Sequence, residues 1–273
     1  MIEAAQDRLP LRAFALDEVS VLILTYNEAS NIVRTLDRLG WAKHIFVLDS
    51  NSTDETRQIL SKRVDVTVLQ RRFDSHANQW NYGLAQIQTE WVLSLDADYQ
   101  LTDEFATEVE SLLPTAAVSA YYASFRYCIQ GRPLSGTLYP PRAVLFRRSR
   151  CHYEQEGHTQ ILHIDGEVGW LKAVVYHDDR KSFSHWLTAQ DRYAKLEARH
   201  LQTTAIQDMS VPDRLRRWIV PAPLVVFVYT LLIKRLIFDG WPGWYYVLQR
   251  TLAEIFLSLR LIEAKLGWRD VTD

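Results

Sequence analysis

The chain has 273 residues, which is enough for one large α/β domain or for a domain with an appendage. Its 48% hydrophobic and 23% charged residues are typical of a folded globular protein, and its net charge of −2 argues against a general nucleic-acid binder. Two cysteines, Cys128 and Cys151, are too few for a disulfide scaffold and are compatible with a reducing cytosol. The first ten residues have neither the basic nor the apolar region of a secretory signal, so we expect no signal peptide.

The first hundred residues alternate between predicted strands and helices. The predicted strands are Val19–Thr25, Lys43–Leu48, Val64–Leu69 and Trp91–Leu95, and the predicted helices are Glu28–Leu39, a segment capped by Ser52 or Thr53, and His76–Ile87. This alternation indicates βαβ units and a mostly parallel sheet. No G-x-G-x-x-G motif follows any of these strands, which argues against a dinucleotide-binding fold of the usual kind.

The pattern changes in the second half of the chain. The predicted elements there are a helix over Leu101–Leu113, long strands over Val118–Ile129 and Arg142–Arg147, and a helix over Phe183–Thr204. Two further apolar segments, Ile161–Ile164 and Trp170–Val175, flank the dipeptide Asp165-Gly166, which predicts a tight hairpin between them.

The strand predicted over Trp91–Leu95 runs directly into two acids, Asp96 and Asp98. Alternation along an extended chain directs both side chains to the same side, and open α/β sheets bind their ligands at the carboxyl ends of the strands. Two close oxygen ligands suit Mg²⁺ or Mn²⁺, with water and a diphosphate completing the coordination. The alternative is a pair of solvated turn acids, because turns favour aspartate.

Four segments occur in the order and spacing that one enzyme family shows. They are Val19–Glu28 (VSVLILTYNE), Val47–Thr56 (VLDSNSTDET), Asn81–Leu84 (NYGL) and Leu95–Asp98 (LDAD). Together they resemble the nucleotide-binding half of family 2 glycosyltransferases of the GT-A fold, in particular the bacterial enzymes that extend lipopolysaccharide cores and other cell-envelope glycans. The resemblance is strongest over residues 19–100 and weaker from there to about residue 200.

The resemblance implies an α/β protein of the GT-A fold. Its Rossmann-like, mostly parallel central sheet is expected to be flanked by helices and followed by a C-terminal helical membrane-docking extension. We expect a catalytic domain at residues 1–205, with a nucleotide-sugar-binding half at residues 17–100 and an acceptor half at residues 101–205. Residues 206–273 are expected to form an amphipathic helical tail.

The resemblance also assigns the residues that hold the nucleoside of the sugar donor. Thr25, Tyr26, Glu28 and Asp49 are expected to take this role. An aspartate that accepts a hydrogen bond from a pyrimidine N–H discriminates against analogues that lack that N–H. For Asp49 the alternative is ordinary loop structure, and Asp54 is interpreted as an acid at a helix N-terminus.

The diphosphate of such a donor calls for Mn²⁺ or Mg²⁺. Asp98 is the expected metal ligand, and Asp96 is expected to touch the ribose or to reach the metal through water. His177 follows a predicted strand and is a candidate ligand, because imidazole is common in metal sites; alternatively it is a structural histidine. Arg72, with its neighbour Arg71, is a candidate phosphate contact, or else both lie on a solvated turn.

Transfer to an acceptor hydroxyl needs a general base opposite the leaving diphosphate. Enzymes of the resembling family invert configuration with a carboxylate base. Glu156 is our candidate, Asp178 and Asp179 are the alternatives, and an ordinary surface loop is the competing interpretation of the segment around Glu156. Related envelope enzymes carry a His-Glu pair near this position, whereas in this chain Thr159 follows the histidine.

The tail combines basic and apolar residues. From Val211 onward there are nine Lys and Arg against six Asp and Glu, whereas the first 210 residues carry 22 against 27. The apolar stretch Trp218–Ile233 contains two prolines and is shorter than the roughly 20 residues of a spanning helix. Basic flanks, a turn rich in Trp and Tyr, and a helical apolar pattern favour residues 211–267 as a surface in the membrane headgroup layer. A helical subdomain packed on the catalytic core and a homo-oligomer interface are the alternatives.

These expectations describe an inverting, metal-dependent hexosyltransferase of lipopolysaccharide or cell-envelope biosynthesis. Its donor would be a nucleoside-diphosphate sugar, with UDP-sugar favoured, and its acceptor a lipid-linked or cell-envelope glycan. We expect a peripheral protein on the cytoplasmic face of the inner membrane. The alternatives are a non-catalytic membrane scaffold that keeps the fold and a haloacid-dehalogenase-type phosphohydrolase, although Gln100 stands where that chemistry uses Thr or Val.

Overall fold

The computed structural model describes residues 14–156 and 159–268. The strands are β1 Val19–Thr25, β2 His44–Asp49, β3 Val66–Gln70, β4 Trp91–Asp96, β5 Tyr99–Leu101, β6 Val118–Ala123, β7 Phe125–Ile129, β8 Arg132–Pro133, β9 Arg142–Arg147, β10 Cys151–Glu156, β11 Thr159–Ile164, β12 Glu167–Trp170 and β13 Val175–His177. The α-helices are α1 Ile32–Leu36, α2 Thr56–Leu60, α3 His76–Ala85, α4 Asp103–Ser111, α5 Phe183–Thr203, α6 Val211–Arg216, α7 Pro221–Val228 and α8 Gly240–Lys265. Between α7 and α8 lie a π-helical turn, Tyr229–Ile233, and a 3₁₀ turn, Leu236–Asp239.

The central sheet has seven strands in the order β12-β6-β9-β4-β1-β2-β3. Only β9 is antiparallel to its neighbours in this sheet, so the predicted mostly parallel architecture is confirmed. The register places Thr25 beside Asp49 and Leu24 beside Asp96. The residues at the ends of β1, β2 and β4 therefore meet along one edge of the sheet.

The central strand β1 is apolar on both faces because helices cover both sides of the sheet. Val21 and Ile23 pack into one layer with α1 and α4, whereas Leu22 packs into the opposite layer with α3. Helix α3 approaches β1 closely at Gly83, where a Cβ would lie 2.7 Å from a methyl group of Leu22. This close packing positions the N-terminus of α3 relative to the carboxyl edge of the sheet.

A smaller sheet of four strands, in the order β5-β13-β7-β8, extends from the same edge. Strand β13 runs antiparallel to β5 and parallel to β7, which sets His177 between Tyr99 and Tyr127. Strands β10 and β11 form a separate antiparallel hairpin, and this hairpin packs against α3.

Several local predictions were wrong. The helix after β2 has Glu55, not Ser52 or Thr53, at its N-cap. The long strand Val118–Ile129 is divided at Ser124, because β6 belongs to the central sheet and β7 to the small one. The first predicted helix shrinks to α1, because the backbone amides of Asn27, Glu28 and Ala29 bond to side chains of the loop before α2 and in its first turn.

The predicted hairpin around Asp165-Gly166 is also wrong, and its predicted second strand, Trp170–Val175, is instead the connection from β12 to β13. Strand β11 pairs with β10, and β12 runs parallel to β6. The hydroxyl of Ser119 donates to the carbonyl of Asp165 (2.6 Å), and Gly166 has a φ of +132° that favours glycine. This turn therefore docks against β6 and directs the chain along it.

The C-terminal helices pack onto the rest of the chain through two apolar clusters. One comprises Ala198, Leu201, Met209, Ile219, Leu257 and Leu261, and the other comprises Leu134, Leu231, Leu236, Tyr246 and Val247. Within the described residues, no single helix combines the length and hydrophobicity to cross a bilayer. The segments Pro221–Ile233 and Leu236–Lys265, bent by 70°, pass that test only as a pair, on length and composition alone.

Candidate active site

Asp98 and His177 lie together at the carboxyl edge of the central sheet. Asp98 follows β4 by two residues, and His177 is the last residue of β13. Its Nε2 atom lies 3.0 Å from Asp98 Oδ2, and the exposed fractions of the two side chains are only 15% and 13%. The amide of Asp178 donates to the Asp98 carbonyl (3.0 Å), and the Thr35 hydroxyl donates to the Ala97 carbonyl (2.7 Å). These bonds fix the backbone on which the pair stands.

Three tyrosine rings surround the His177 imidazole. The ring centroids of Tyr99, Tyr127 and Tyr139 lie 5.4, 4.7 and 4.8 Å from that of His177. Tyr127 also packs against Tyr246 of α8, with ring centroids 4.9 Å apart. A chain of ring contacts therefore runs from the last helix to the candidate site.

The residues of this pair fit a divalent cation. Between the two side chains alone, burial opposes the charged forms but mutual attraction prevails, so the pKa of His177 is raised and that of Asp98 is lowered. A cation would take the place of the imidazole proton between them, because a histidine ligand must be neutral. An oxygen and a nitrogen 3.0 Å apart have the spacing of adjacent ligands on an octahedral ion with bonds of about 2.1 Å. In residues 14–156 and 159–268, no group of three or more His, Cys, Asp and Glu has metal-binding geometry. The remaining positions would therefore belong to substrate oxygens and water.

Asp96 ends β4 and is half-buried beside this pair. Its carboxylate lies within electrostatic range of three basic side chains. It contributes to raising the pKa of His177 and of Arg142, and it opposes the lowering of the His76 pKa by burial. Asp96 and Asp98 therefore both act on His177, but Asp98 lies in the turn after β4, so the predicted alternation along an extended strand does not extend to it.

Glu28 also enters the site, and it is tied to Lys181. Lys181 Nζ donates to Glu28 Oε1, and Asn31 Nδ2 donates to Glu28 Oε2 at 2.8 Å and to Asp179 Oδ1 at 2.9 Å. Burial and the nearby Asp98 raise the pKa of Glu28 from 4.5 to about 7, although Lys181 acts in the opposite direction. Glu28 therefore joins the loop after β1 to the segment that follows β13.

Thr25, Tyr26 and Asp49 lie at the ends of β1 and β2. The Thr25 hydroxyl is buried and has no hydrogen-bond partner among the described residues, whereas the side chain of Tyr26 is 53% exposed. Asp49 is fully buried, and its carboxylate accepts from the amide of Ser52 (3.0 Å) and from the Ser52 hydroxyl. Asp49 thus shapes the loop after β2, and its contact with a nucleoside stays a prediction.

The two adjacent arginines after β3 differ in their surroundings. Arg71 forms two hydrogen bonds with Asp74, at 2.8 and 2.7 Å, and another with Gln79. Arg72 is exposed and makes no ion pair within the described part of the chain. Because Arg71 is engaged by these partners, Arg72 is the better candidate for a phosphate contact.

Asp178 is a buried structural anchor. Its carboxylate accepts from Arg34 Nη1 (2.5 Å), from Arg180 Nη2 (2.9 Å) and from the amide of Gly131 (3.0 Å). These three donors engage both carboxylate oxygens, and Asp178 is only 2% exposed, so an acceptor hydroxyl has little access to it. This environment argues against Asp178 as the general base.

Comparison with known proteins decides the family. The sequence model described as glycosyl transferase family 2 matches residues 20–173, more than half of the chain. The chain belongs to glycosyl transferase family 2. The family predicted from the four segments is thereby confirmed.

Three bacterial proteins illustrate what this family 2 chain is similar to. An uncharacterised glycosyltransferase of Rickettsia typhi is 27% identical over 271 aligned residues, which cover 93% of this chain and 90% of the relative. The lipopolysaccharide core biosynthesis glycosyltransferase LpsC of Rhizobium meliloti is 27% identical over 206 residues, covering 70% and 71%. The match to an uncharacterised glycosyltransferase of Rickettsia bellii is shorter, and there the chain spans 36% of the relative.

A solved structure supports the fold of the family 2 chain. A mannosyltransferase from Pyrobaculum calidifontis, in complex with GDP-Man and Mn²⁺, superposes with a TM-score of 0.50 at 18% identity. The match covers 94% of this chain and 87% of the mannosyltransferase. The predicted GT-A fold is confirmed.

The candidate base Glu156 is the last residue of β10, and its side chain lies outside the described part of the structure. The hairpin that contains Glu156 is held in place by helix α3. Asn81 of α3 bonds to both the amide and the carbonyl of Tyr153, and the rings of Trp80 and Tyr153 stack with centroids 5.3 Å apart. The structure therefore fixes the strand that carries Glu156, and the role of Glu156 stays a prediction.

Sequence reasoning missed Lys181, Asn31 and Arg34 at this site. Lys181 and Asn31 bind Glu28, and Arg34 binds Asp178. One signal was present, because Lys181 follows the acids Asp178 and Asp179 in the segment that contains His177. For Asn31 and Arg34, no pattern in the sequence distinguishes them from polar residues on the exposed face of a helix.

Proposed function

We propose that the chain is an inverting, divalent-metal-dependent glycosyltransferase of the hexosyltransferase type. It moves a sugar from a nucleoside-diphosphate donor, with UDP-sugar favoured, to a lipid-linked or cell-envelope glycan. The observation that carries the proposal is the largely buried Asp98–His177 pair at the carboxyl edge of a GT-A sheet. The relationship to family 2 and to LpsC of Rhizobium meliloti supports it.

The donor side of the site would use the residues at the ends of β1, β2 and β4. Thr25, Tyr26, Glu28 and Asp49 would bind the nucleoside, with the buried, unpartnered Thr25 hydroxyl free to bond to a ligand. Asp96 would contact the ribose or a metal-bound water. Arg72 would meet a phosphate oxygen.

Asp98 and His177 would hold Mn²⁺ or Mg²⁺. When bound, the ion would neutralise the diphosphate and stabilise it as a leaving group. The Tyr99, Tyr127 and Tyr139 rings keep the imidazole in place and exclude water around it.

Inversion requires one carboxylate on the acceptor side. Glu156 would take the proton of the acceptor hydroxyl as that oxygen attacks the anomeric carbon and the nucleoside diphosphate leaves from the opposite face. The anchoring of β10 on α3 supports this assignment. So does the engagement of Asp178 by Arg34 and Arg180, which leaves Asp179 as the alternative.

The acceptor is proposed to be presented at a membrane. The side chains of Trp218, Phe238 and Trp241 are 72%, 82% and 86% exposed. The basic residues Lys234 and Arg235 lie a few positions before Phe238 in the chain. Exposed aromatic and basic side chains are typical of a surface in the headgroup layer. We infer a peripheral protein at the cytoplasmic face of the inner membrane; an oligomer interface on the same surface is the competing possibility.

The test is a calorimetric titration of UDP, GDP and CDP into the protein, with and without Mn²⁺. We expect one nucleotide to bind only with Mn²⁺, and we expect Asp98→Asn and His177→Gln to lose that dependence. Asp103→Asn is the matched control, because Asp103 is an exposed aspartate outside the site. Failure of all three nucleotides to bind would overturn the proposal.

A further inference from the structure

An apolar groove runs along α7 and the π-helical turn that continues it. The groove is open to solvent and has a volume of about 400 Å³. Five side chains line it, namely Leu224, Val225, Val228, Tyr229 and Ile233. All five are exposed within the described chain, Leu224 and Ile233 by two thirds. The volume falls within the range of about 300–1,000 Å³ that is usual for ligand sites. A concave, wholly apolar surface of this size suits a hydrocarbon chain.

A cation lies at one end of the groove. Lys234 directly follows Ile233, and its Nζ atom lies 5.6 Å from the centroid of the Tyr229 ring, which is one wall of the groove. Lys234 and its neighbour Arg235 make no ion pair within the described residues. An apolar groove that ends at unpaired cations is complementary to an alkyl chain that carries a phosphate.

The same end of the groove adjoins the candidate active site through one loop. Lys234 packs so closely on Gly136 that a Cβ there would lie 2.6 Å from the Lys234 carbonyl oxygen. Three residues further on, Tyr139 packs its ring on His177 at 4.8 Å. The loop between β8 and β9 therefore connects the cation at the groove with the Asp98–His177 pair.

We propose that this groove binds the hydrocarbon chain of the acceptor, which is a glycan carried on a lipid phosphate, and that Lys234 contacts the phosphate. The glycan would then extend along residues 134–139 to the site of transfer. This inference rests on the proposed function and deepens it, because it names the acceptor class and the surface that selects it. The outward-facing Phe238 and Trp241 lie outside the groove and are assigned to the bilayer surface.

The test uses three soluble probes: decyl phosphate, decyl maltoside and inorganic phosphate, each titrated below the micellar concentration of the alkyl compounds. We expect decyl phosphate to bind at one site, decyl maltoside to bind more weakly, and inorganic phosphate not to bind. Leu224→Gln is expected to lower the affinity for both alkyl probes about tenfold, because it removes apolar contact worth roughly 1.5 kcal/mol. Lys234→Gln is expected to weaken only decyl phosphate, about fivefold.

Two matched variants serve as controls. Phe238→Ser changes an exposed apolar residue outside the groove. Lys62→Gln changes an exposed lysine that follows helix α2 in the nucleotide-binding half. Neither should change the affinity for decyl phosphate, although Phe238→Ser should reduce sedimentation with anionic liposomes.

Three results would overturn the inference. They are a failure of decyl phosphate to bind, an affinity for decyl phosphate that is unchanged in Leu224→Gln, and a loss of that affinity in Phe238→Ser as large as the loss in Leu224→Gln. Unchanged affinity for decyl phosphate in Lys234→Gln would overturn the assignment of the phosphate contact. Mn²⁺-dependent UDP binding, measured on the same samples, separates the two proposals. If UDP binds and decyl phosphate does not, only the groove assignment fails.

Discussion

Asn81 holds the backbone of Tyr153 at two points, donating from Nδ2 to the carbonyl oxygen at 2.7 Å and accepting from the amide at 2.9 Å. The two residues are 72 positions apart and belong to α3 and β10. This pair of bonds joins the helix that packs under β1 to the strand that ends at Glu156. Together with the hydrogen bond from the Tyr153 hydroxyl to Ser94 of β4 (3.3 Å), it links the donor half of the chain to the hairpin assigned to the acceptor.

Asn81→Ala is therefore expected to loosen the β10–β11 hairpin without affecting nucleotide binding. Amide hydrogen exchange should rise in residues 151–164, because both backbone groups of Tyr153 lose their partner. The affinity for UDP with Mn²⁺ should change less than about twofold, since a net hydrogen-bond loss of about 1 kcal/mol per bond falls on a separate element. Asn78→Ala is the control, because Asn78 lies on the same helix and its side chain bonds, within the described residues, only to Asp74. A loss of UDP binding in Asn81→Ala would contradict the expectation.

Glu156→Gln is expected to stop transfer but not donor binding. Removal of a general base costs about 10²- to 10⁴-fold in rate. The measurement is release of nucleoside diphosphate from the donor in the presence of a membrane glycolipid fraction, with calorimetric binding of the nucleotide as the second readout. Glu154→Gln is the matched control, because Glu154 is an exposed glutamate two residues earlier on β10 and pairs with His152 and His163. Full turnover by Glu156→Gln would remove Glu156 from the mechanism and favour Asp179.

The metal-free protein is expected to lose stability between pH 4.5 and about 7 because of Glu28. Burial and Asp98 raise the folded-state pKa of Glu28 from 4.5 to about 7. Below pH 4.5 both states are protonated, and the stabilising effect is fully present. As the pH rises to 7 and above, the unfolded state releases the proton first, and that contribution is lost.

Glu28→Gln cannot titrate and should lack this dependence. From pH 4.5 to pH 8, the wild-type protein should therefore lose up to about 3 kcal/mol in free energy of unfolding relative to Glu28→Gln. Urea denaturation of both proteins in EDTA across this range checks the shift. A constant difference would show that Glu28 titrates alike in the folded and unfolded states.

Arg216 is expected to hold the C-terminal helices together. Its guanidinium contacts Glu254 of α8 at 2.9 Å, and Glu197 of α5 and Asp213 of α6 at 3.2 Å. Arg216→Met leaves the buried Glu254 without a cation, so the free energy of unfolding should fall by about 3–5 kcal/mol. The exposed neighbour Arg217→Met should change it by less than about 0.5 kcal/mol.

A double variant distinguishes the charge effect from packing. Arg216→Met combined with Glu254→Met should recover most of the lost stability, because no buried charge remains unpaired. If the double variant is as unstable as Arg216→Met alone, the loss comes from packing. Denaturant unfolding followed by far-ultraviolet circular dichroism measures all three proteins.

The sequence predicts those strands whose apolar pattern follows from burial alone. Strands β1, β2 and β4 are covered on both faces, so their continuous apolar runs and the polar residues that end them identify the sheet and its binding edge. His177, the last residue of β13, lies 3.0 Å from Asp98, which is 79 residues earlier, and the metal-ligand role expected of both residues stays a prediction.

The rest depends on contacts that local sequence does not encode. Ser124 divides β6 from β7 only because two different sheets compete for neighbouring residues. The Asp165-Gly166 turn has the composition of a hairpin, yet its partner is Ser119 on another strand. Similarly, Lys181 and Asn31 enter the site through irregular segments whose direction is set by tertiary hydrogen bonds to Glu28.

The ring contacts from Tyr246 through Tyr127 to His177 bear on how this enzyme can be divided or recombined. A fragment ending at residue 205 would lack Tyr246 and would open the packing behind the imidazole, although every proposed metal and nucleotide residue would still be present. A chimera that carries the last helix of a relative would need an aromatic ring at position 246 to restore that support. When the C-terminal helices are exchanged between relatives, we therefore expect acceptor specificity and metal affinity to change together.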